Sequence, residues 1–286
     1  IINEMNWEWE KIGSDLNGEA THDDFEDLIE GNYEKFGNSI AINNDGNRIA
    51  VGSPVDHPNG VGFVSVYDYD ISYNSWISKG FVIKIGNNSE SGYSVAMNSS
   101  GSRIVIGVPQ SSDSDSVGFV AVYDYKIPLA DEWENGNVIK GGTTTQKTNH
   151  YYWTQVGGNI IGANNVENFG HSVAMSSDGE RIVIGAPLYD QGKGAVRVYE
   201  HDTTNGWQQL GKDINGAENG DNFGYSVDTS DENKIVVGAP QNNSSKGYVG
   251  VYEFNGSSWT KVGGDSISGS KQGEKFGYSV SINDDG

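Results

Sequence analysis

Oxygen-bearing side chains are concentrated in one glycine-containing loop late in the chain. The loop spans residues 213–221, and its candidate ligands are Asp213, Asn215, Glu218 and Asp221. A shorter copy of its beginning, near the start of the chain, adds Asp15 and Asn17. Because calcium prefers six to eight oxygen ligands from loops of this kind, the spacing predicts a calcium site. The alternative is a solvated Asx turn, which Asp-x-Asn-Gly also forms readily.

Catalytic side chains show no pattern of their own. The chain has no cysteine, and its five histidines form neither an H-x-x-x-H pair nor a fixed His-Asp-Ser grouping. The sequence therefore shows no grouping of residues typical of nucleophilic catalysis or of a zinc site. The sequence favours a protein that is not an enzyme. The alternative is an enzyme or accessory domain acting on polysaccharide, because a glycosidic carboxylate pair needs proximity in space and not in sequence.

Modification chemistry is suggested by Asn-x-Ser triplets. Five such asparagines lie in predicted loops or turns: Asn87, Asn98, Asn242, Asn243 and Asn255. In a secreted protein each is a candidate acceptor for N-glycosylation, so the sequence predicts a glycoprotein.

These residues are positioned by a repeated phrase. The copies are FGNSIAINNDGNRIAVGSP from Phe36, SGYSVAMNSSGSRIVIGVP from Ser91, FGHSVAMSSDGERIVIGAP from Phe169 and FGYSVDTSDENKIVVGAP from Phe223, with a fifth opening at Phe276. Each complete copy is followed by a G-x-V-x-V-Y segment and then by a tryptophan segment. The alternating apolar residues predict four antiparallel strands per repeat. Repetition of such a unit predicts a β-propeller, with the S-V-A-M strand innermost and the tryptophan strand outermost.

Some positions within the repeat suggest specific contacts. Asp45-Gly46 and Asp178-Gly179 predict two-residue hairpin turns, in which glycine supplies the positive φ. His171 occupies a variable slot at a strand start, which holds Asn38, Tyr93, Tyr225 and Tyr278 in the other copies.

Two sets of recurring side chains have competing interpretations. A cation precedes each G-A-P strand, at Arg48, Arg103, Arg181 and Lys234. A ring of these cations could hold an anion, but a solvated cation at a hairpin end is favoured. A tryptophan recurs at Trp9, Trp76, Trp153, Trp207 and Trp259. These rings could form a glycan-binding surface, but filling the wedge between neighbouring sheets is favoured.

The order F-G-x-S-V, then V-G-A-P, then G-x-V-x-V-Y resembles the FG-GAP repeat, known from the propeller of integrin α subunits and from many secreted proteins. The resemblance runs from about Trp7 to Gly286. It implies a β-propeller, usually seven-bladed, that binds partners and seldom does chemistry. The family's calcium loop does not carry over to Asp45 or Asp178, because the loops here are too short and too poor in carboxylates.

We therefore expect an all-β fold, a β-propeller of four-stranded antiparallel blades. Residues 1–286 would be a single, incomplete domain covering about five blades of a seven-bladed whole. The predicted outer strand from Trp7 to Leu16 and the predicted inner strand from Tyr278 to Ile282 would share a blade without its middle strands. This arrangement predicts a longer polypeptide, since exposed sheet edges are avoided.

The charge and the apolar content of the chain limit the kinds of partner that it can bind. The net charge is −21, with 39 acidic residues against 18 basic ones, so nucleic acid is excluded as a partner. No apolar stretch approaches the ~20 residues of a spanning helix, so no membrane insertion is expected. An acidic chain of this kind suits an extracellular or cell-surface setting.

Two insertions interrupt the repeats, at residues 20–35 and 126–152. Because repeat proteins commonly place binding function on loops, these segments are candidate partner surfaces. The expected function is a non-catalytic extracellular interaction module, in cell adhesion or as a structural component of a surface appendage or secreted assembly. Its partners would be proteins or glycans, or further copies of the chain that join through blade edges.

Overall fold

The computed structural model describes residues 10–18, 35–55, 61–86, 89–110, 117–126, 133–134, 137–138 and 152–286. The first blade contains β1 (Ser39–Ile42), β2 (Arg48–Ser53), β3 (Phe63–Asp70), β4 (Ser75–Ser78) and the short β5 (Ile83–Lys84). The second contains β6 (Ser94–Met97), β7 (Arg103–Val108) and β8 (Phe119–Lys126). After β9 (Trp133–Glu134) and β10 (Asn137–Val138), it continues with β11 (Tyr152–Gln155) and β12 (Ile160–Ile161).

The later blades repeat this order. The third contains β13 (Ser172–Met175), β14 (Arg181–Ala186), β15 (Ala195–Asp202), β16 (Gly206–Gln209) and β17 (Ile214–Asn215). The fourth contains β18 (Ser226–Thr229), β19 (Lys234–Ala239), β20 (Tyr248–Phe254) and β21 (Trp259–Ser268). Two four-residue turns, α1 (Tyr189–Gly192) and α2 (Asn242–Ser245), lie between the second and third strands of these two blades. Both contain non-glycine residues with positive φ, so neither is a regular right-handed α-helix.

The predicted β-propeller of four-stranded antiparallel blades is confirmed. In each blade the S-V-A-M strand pairs with the R-I-V-I-G strand, which pairs with the V-x-V-Y strand, which pairs with the tryptophan strand. The innermost strands of successive blades contact one another, β1 with β6, β6 with β13 and β13 with β18. In the first three blades the outer strand is broken in two, because β5, β12 and β17 pair separately with the third strand.

The core lies between blades. Three buried apolar clusters fill the spaces between blades one and two, two and three, and three and four. Phe169 and Phe223, the aromatic residues of the F-G motif, are among the largest fully buried side chains. Because each sheet is apolar on both faces, no blade buries its surface alone, and packing against neighbours is what stabilises it.

The predicted two-residue turns at the inner hairpins are wrong. The connection between β1 and β2 spans residues 43–47, and within it only Gly46 has a positive φ, of 67°. The side-chain oxygen of Asn43 accepts hydrogen bonds from the backbone N–H groups of Asn47 and Arg48. Asn98 and Ser176 accept from the next cation's N–H in the same way. A buried side chain therefore closes these hairpins.

The F-G-x-S and G-A-P motifs meet across each blade boundary. The hydroxyl of Ser172 donates to the carbonyl of Gly224 in the next blade at 2.8 Å. The same bond joins Ser39 to Gly92, Ser94 to Gly170 and Ser226 to Gly277. A Cβ built on Gly185 would lie 2.0 Å from that Gly224 oxygen. Both motifs therefore allow neighbouring blades to approach closely. We call the contact between the F-G-x-S serine, the F-G glycine carbonyl of the next blade and the G-A-P glycine the seam.

The boundary between blades one and two departs from the pattern. At this boundary Ser91 occupies the position at which the other copies have the F-G phenylalanine. Ile85 occupies the position that corresponds to Gly162 at the boundary between blades two and three. A Cβ on Gly162 would lie 2.8 Å from Phe169 Cβ, so an isoleucine and a phenylalanine cannot both fit there. Ile85, 6% exposed, therefore takes the place of the missing ring.

Ser53 occupies the alanine position of G-A-P at this boundary. Its hydroxyl is fully buried and is one of the described buried side-chain atoms that have no hydrogen-bond partner. We expect Ser53→Ala to raise the free energy of unfolding by about 1 kcal/mol, because it removes a desolvated, unpaired hydroxyl. Urea unfolding monitored by tryptophan fluorescence measures this. The reverse change at the matched site, Ala186→Ser, should destabilise; a destabilising Ser53→Ala would contradict the prediction.

The two ends of the described chain and the hairpin of the second insertion lie outside the sheets of the four blades. The part of the predicted first strand that is described, residues 10–16, is not a strand, although Gly13 contacts Trp76. Residues 278–282 also form no ladder, since their hydrogen bonds to the fourth blade go to a side chain, Asp228. Within insertion 126–152, β9 and β10 pair as a hairpin. Insertion 20–35, apart from Lys35, lies outside the described residues.

Candidate functional site: the axial aromatic column

A column of rings lines the inner edge of the propeller at the F-G end of the inner strands. It comprises Tyr93, His171, Tyr225 and Tyr278, and each successive blade contributes one ring. Neighbouring ring centroids are 5.1, 4.6 and 4.9 Å apart, and the rings are tilted by 43–51° to one another. Equivalent positions in a propeller come closest near its axis, so this spacing places the rings beside the axis.

Hydrogen bonds hold the column in order. Asn38 Nδ2 donates to the carbonyl of Tyr93 at 2.9 Å. His171 Nδ1 lies 3.2 Å from the carbonyl of Tyr225, which can only accept, so Nδ1 carries a proton. Burial lowers the pKa of His171, and the bond to Tyr225 opposes this only in part. At neutral pH the imidazole is therefore uncharged, and Nε2 accepts from the Tyr93 hydroxyl at 3.3 Å.

The rings of the column differ in exposure. Tyr278 is 56% exposed, whereas Tyr93, His171 and Tyr225 are half-buried. Burial, followed by the hydrogen bond to Tyr278, raises the pKa of Tyr225, so its phenol stays protonated at neutral pH. Sequence analysis treated this slot as variable and missed the site. The available signal was that aromatic rings recur at this slot from the second copy onward.

The recurring cations join blades together. Arg48 pairs with Asp68 of its own blade at 2.6 Å and donates to the carbonyl of Gly101 in the next blade at 2.8 Å. Its guanidinium lies 4.5 Å from the centre of the Tyr125 ring. Burial would raise the pKa of Asp68, but hydrogen bonds from Arg48 and Lys79 hold it below its ordinary value. The pair is therefore charged at neutral pH.

Two of the other three cations repeat the bond to the following blade. Arg103 bonds the carbonyl of Gly179, Lys234 bonds those of Asp285 and Gly286, and Arg181 pairs with Glu200. The four side chains are 12–21% exposed. The predicted solvated position is therefore wrong, because each cation's donors are directed at a carboxylate or at a carbonyl of the following blade. A shared anion site is not supported for the same reason.

The tryptophans fill the wedges between described blades, as predicted, at Trp153, Trp207 and Trp259. Trp76, in the first blade, lies beside the Tyr69 ring and Gly13. Trp207 Nε1 donates to the carbonyl of Val156 in the preceding blade at 3.2 Å, and Trp259 does the same with Leu210 at 2.9 Å. The glycine that follows each acceptor leaves room for the indole, since a Cβ on Gly211 would lie 3.1 Å from Trp259 Cδ1. This explains the W-x-x-x-G spacing. Trp9 lies outside the described residues.

The predicted calcium ligands are engaged by the protein itself. Asp213 accepts from Arg197 Nε at 2.9 Å and from Gln209 at 2.8 Å. Asp221, 2% exposed, accepts from the Glu218 N–H at 3.0 Å and from Asn242 at 2.7 Å. Asn215 belongs to β17, and Glu218 is exposed. Binding a cation at Asp213 and Asp221 would have to break these bonds.

The second predicted calcium loop lies on the surface. Asp15 pairs with Lys11 at 2.5 Å, and Asn17 is exposed. Across the described ranges, no group of three or more His, Cys, Asp or Glu side chains is placed to hold a metal ion. Calcium binding stays a prediction.

A buried ion network was missed by sequence analysis. Arg197 bonds both carboxylate oxygens of Glu167, at 3.1 and 3.0 Å, as well as Asp213. Its guanidinium lies 5.2 Å from the Phe169 ring and 5.4 Å from the Tyr189 ring. Burial alone would lower the pKa of Arg197, but these carboxylates raise it. The third blade alone has a cation at this position of V-x-V-Y.

The chain is similar to parts of several known proteins. No family model matches the chain. Integrin alpha-PS2 from Drosophila melanogaster is 27% identical over 177 residues, which cover 57% of this chain and 12% of that protein. This chain therefore corresponds to a small part of the integrin's length. The chain is a β-propeller protein with similarity to an integrin α subunit.

Two solved structures resemble the fold. A putative 6-phosphogluconolactonase from Bacteroides uniformis is 10% identical with a TM-score of 0.49, over 81% of this chain and 54% of that one. The β-propeller domain of the Trilobed protease from Pyrococcus furiosus is 10% identical with a TM-score of 0.43, over 78% and 56%. The chain spans about half the length of each. In the part of the chain that is described, no helix is long and apolar enough to cross a bilayer.

Proposed function

We propose that this chain is a non-catalytic extracellular interaction module of the FG-GAP type, acting in adhesion or in a secreted or surface-attached assembly. The observation that carries the proposal is the axial aromatic column. There the repeat places one aromatic side chain per copy beside the axis, from the second copy onward. The 27% identity to an integrin α subunit supports an adhesion role.

The other recurring motif residues have structural roles. The F-G-x-S serines and the G-A-P glycines form the seams. Arg48, Arg103 and Lys234 bond the next repeat, and Trp153, Trp207 and Trp259 bond the preceding blade. Interaction at the column would therefore not use the seam serines and glycines, the recurring cations or the tryptophans. Separate sets of residues for packing and for interaction are typical of a scaffold that binds other molecules.

The chemistry of the column favours a protein partner that inserts a basic side chain. His171 is uncharged and the Tyr225 phenol is protonated at neutral pH. The faces of aromatic rings attract cations through their quadrupole. A net charge of −21 draws a basic group toward the chain from a distance. The alternative is a neutral sugar, since tilted rings with hydroxyl groups also suit stacking on a pyranose.

Ligand-observed NMR with two probes separates these possibilities. We expect saturation transfer to N-acetyl-arginine methylamide, and at least about a threefold weaker affinity in Tyr278→Ala, in line with one cation–π contact. The matched control is Tyr73→Ala, since Tyr73 is 77% exposed and lies outside the column. Transfer to maltotriose alone, lost in Tyr278→Ala, would favour carbohydrate binding. Transfer to neither probe would contradict the proposed function.

A further inference from the structure

The hairpin between β20 and β21 presents one asparagine with an unusual set of contacts. Asn255 Oδ1 accepts hydrogen bonds from the N–H of Ser257 at 3.1 Å, the N–H of Ser258 at 3.0 Å and the hydroxyl of Ser257 at 3.0 Å. Residues 255–258 are all exposed. No described residue accepts a hydrogen bond from Asn255 Nδ2, so the amide nitrogen faces solvent.

This arrangement suits attachment of a sugar to the amide nitrogen. Asn255-Gly256-Ser257 is an Asn-x-Ser acceptor triplet. The donors on the amide oxygen, which include the Ser258 hydroxyl at 3.5 Å, hold the side chain in one orientation. The Ser257 hydroxyl is one of the donors, which gives a physical reason why the triplet needs a hydroxyl at its third position.

Two other triplets are structurally different. Asn98 is 5% exposed, and it accepts from the Arg103 N–H at 2.9 Å while donating to Ser102 at 3.2 Å. Asn242 Nδ2 donates to the buried carboxylate of Asp221 at 2.7 Å. In both, the side chain is part of the fold, and a glycan on Asn98 is incompatible with its burial. Asn87 and the side chain of Asn243 lie outside what is described.

We propose that Asn255 is the N-glycan acceptor of this part of the chain, an inference that rests on the proposed extracellular setting. In the reaction, Asn255 Nδ2 forms a bond to the anomeric carbon of a pyrophosphate-linked oligosaccharide donor. The bond from that carbon to the pyrophosphate oxygen breaks, and the amide loses one proton to the transferase or the leaving group. An oligosaccharyl transferase catalyses the exchange.

The hydrogen bonds that orient Asn255 are all local to the turn and need no contact with the rest of the fold. Each bond to Asn255 Oδ1 comes from a residue two or three positions away, so the turn can form before the blade does. Asn255 also lies at the hairpin end of its blade, opposite the F-G end that bears the column. A glycan there leaves the proposed binding site open.

Expression of the chain with a secretion signal in glycosylating eukaryotic cells tests the proposal. We expect the intact mass of the secreted protein to fall on treatment with peptide-N-glycosidase, with conversion of Asn255 to aspartate. Asn255→Gln and Ser257→Ala should each abolish the modification at this site, whereas Ser257→Thr should retain it. Ser257→Ala keeps the asparagine, so its loss of occupancy does not depend on damage to the turn.

Two results would overturn the assignment. One is secreted, folded protein with Asn255 unmodified, whatever the state of the other triplets. The other is a glycan carried by folded protein at Asn98, because the geometry forbids it. Neither result bears on the probe binding measured at Tyr278, so failure here is distinguishable from failure of the proposed function.

Discussion

Replacing Gly185 with alanine is expected to lower the free energy of unfolding by about 3 kcal/mol, at the upper end of the usual cost of overpacking. The new Cβ would lie 2.0 Å from the carbonyl oxygen of Gly224 and 2.3 Å from the hydroxyl of Ser172. The contact with backbone cannot be relieved by a side-chain rotation, so blades three and four must separate. Urea unfolding followed by circular dichroism measures the loss.

The matched control for this substitution is Gly158→Ala. An added Cβ at Gly158 meets nothing within 4 Å, and its backbone has no positive φ. We expect this variant to be within about 0.5 kcal/mol of the parent, as for most surface changes. Equal stability of Gly185→Ala and Gly158→Ala would show that the seam does not require glycine.

The second large effect is expected at the buried ion network. Arg197→Ala should destabilise the chain by about 3–5 kcal/mol, because it leaves the fully buried Glu167 carboxylate without its cation. The double variant Arg197→Met with Glu167→Gln should recover most of the loss, since removing both charges avoids an unpaired ion. Thermal unfolding of the single and double variants measures this.

An exposed ion pair provides the comparison. Lys11 and Asp15 are paired, but their side chains are 62% and 75% exposed. Lys11→Ala should therefore change stability by no more than about 1 kcal/mol. An Arg197→Ala variant as stable as Lys11→Ala would mean that the network contributes nothing to the fold.

The periodic features of the molecule were predictable from sequence. The strand order within each blade and the role of the tryptophans follow from local alternation of apolar residues and from one large ring per repeat. Both are properties of a single repeat seen several times. The same repetition could have identified the column, because a ring recurs at the position of His171 from the second copy onward.

Other features depend on contacts between distant residues. Arg197 and Glu167 are 30 positions apart, and Arg48 meets Gly101 over 53 positions. Nothing near Arg48 in the sequence shows that its guanidinium is directed at the next blade. At the boundary between blades one and two, Ser91 replaces the usual phenylalanine and Ile85 replaces the usual glycine. The sequence shows that these replacements compensate each other only once the two positions are known to be in contact.

The seam also bears on how a protein of this kind can change in length. Every described seam uses the same donor and acceptor, a serine hydroxyl of one blade and the F-G glycine carbonyl of the next. The copies are 53–55 residues apart where no insertion intervenes. A tandem duplication of a repeat that has both the F-G phenylalanine and the glycine facing it, as at the boundary of blades two and three, would therefore bring a matching donor and acceptor with it. Gene duplication is thus a route by which this architecture can gain whole blades, whereas a duplicate of the first repeat would set Ile85 against Phe36 and would need a compensating mutation.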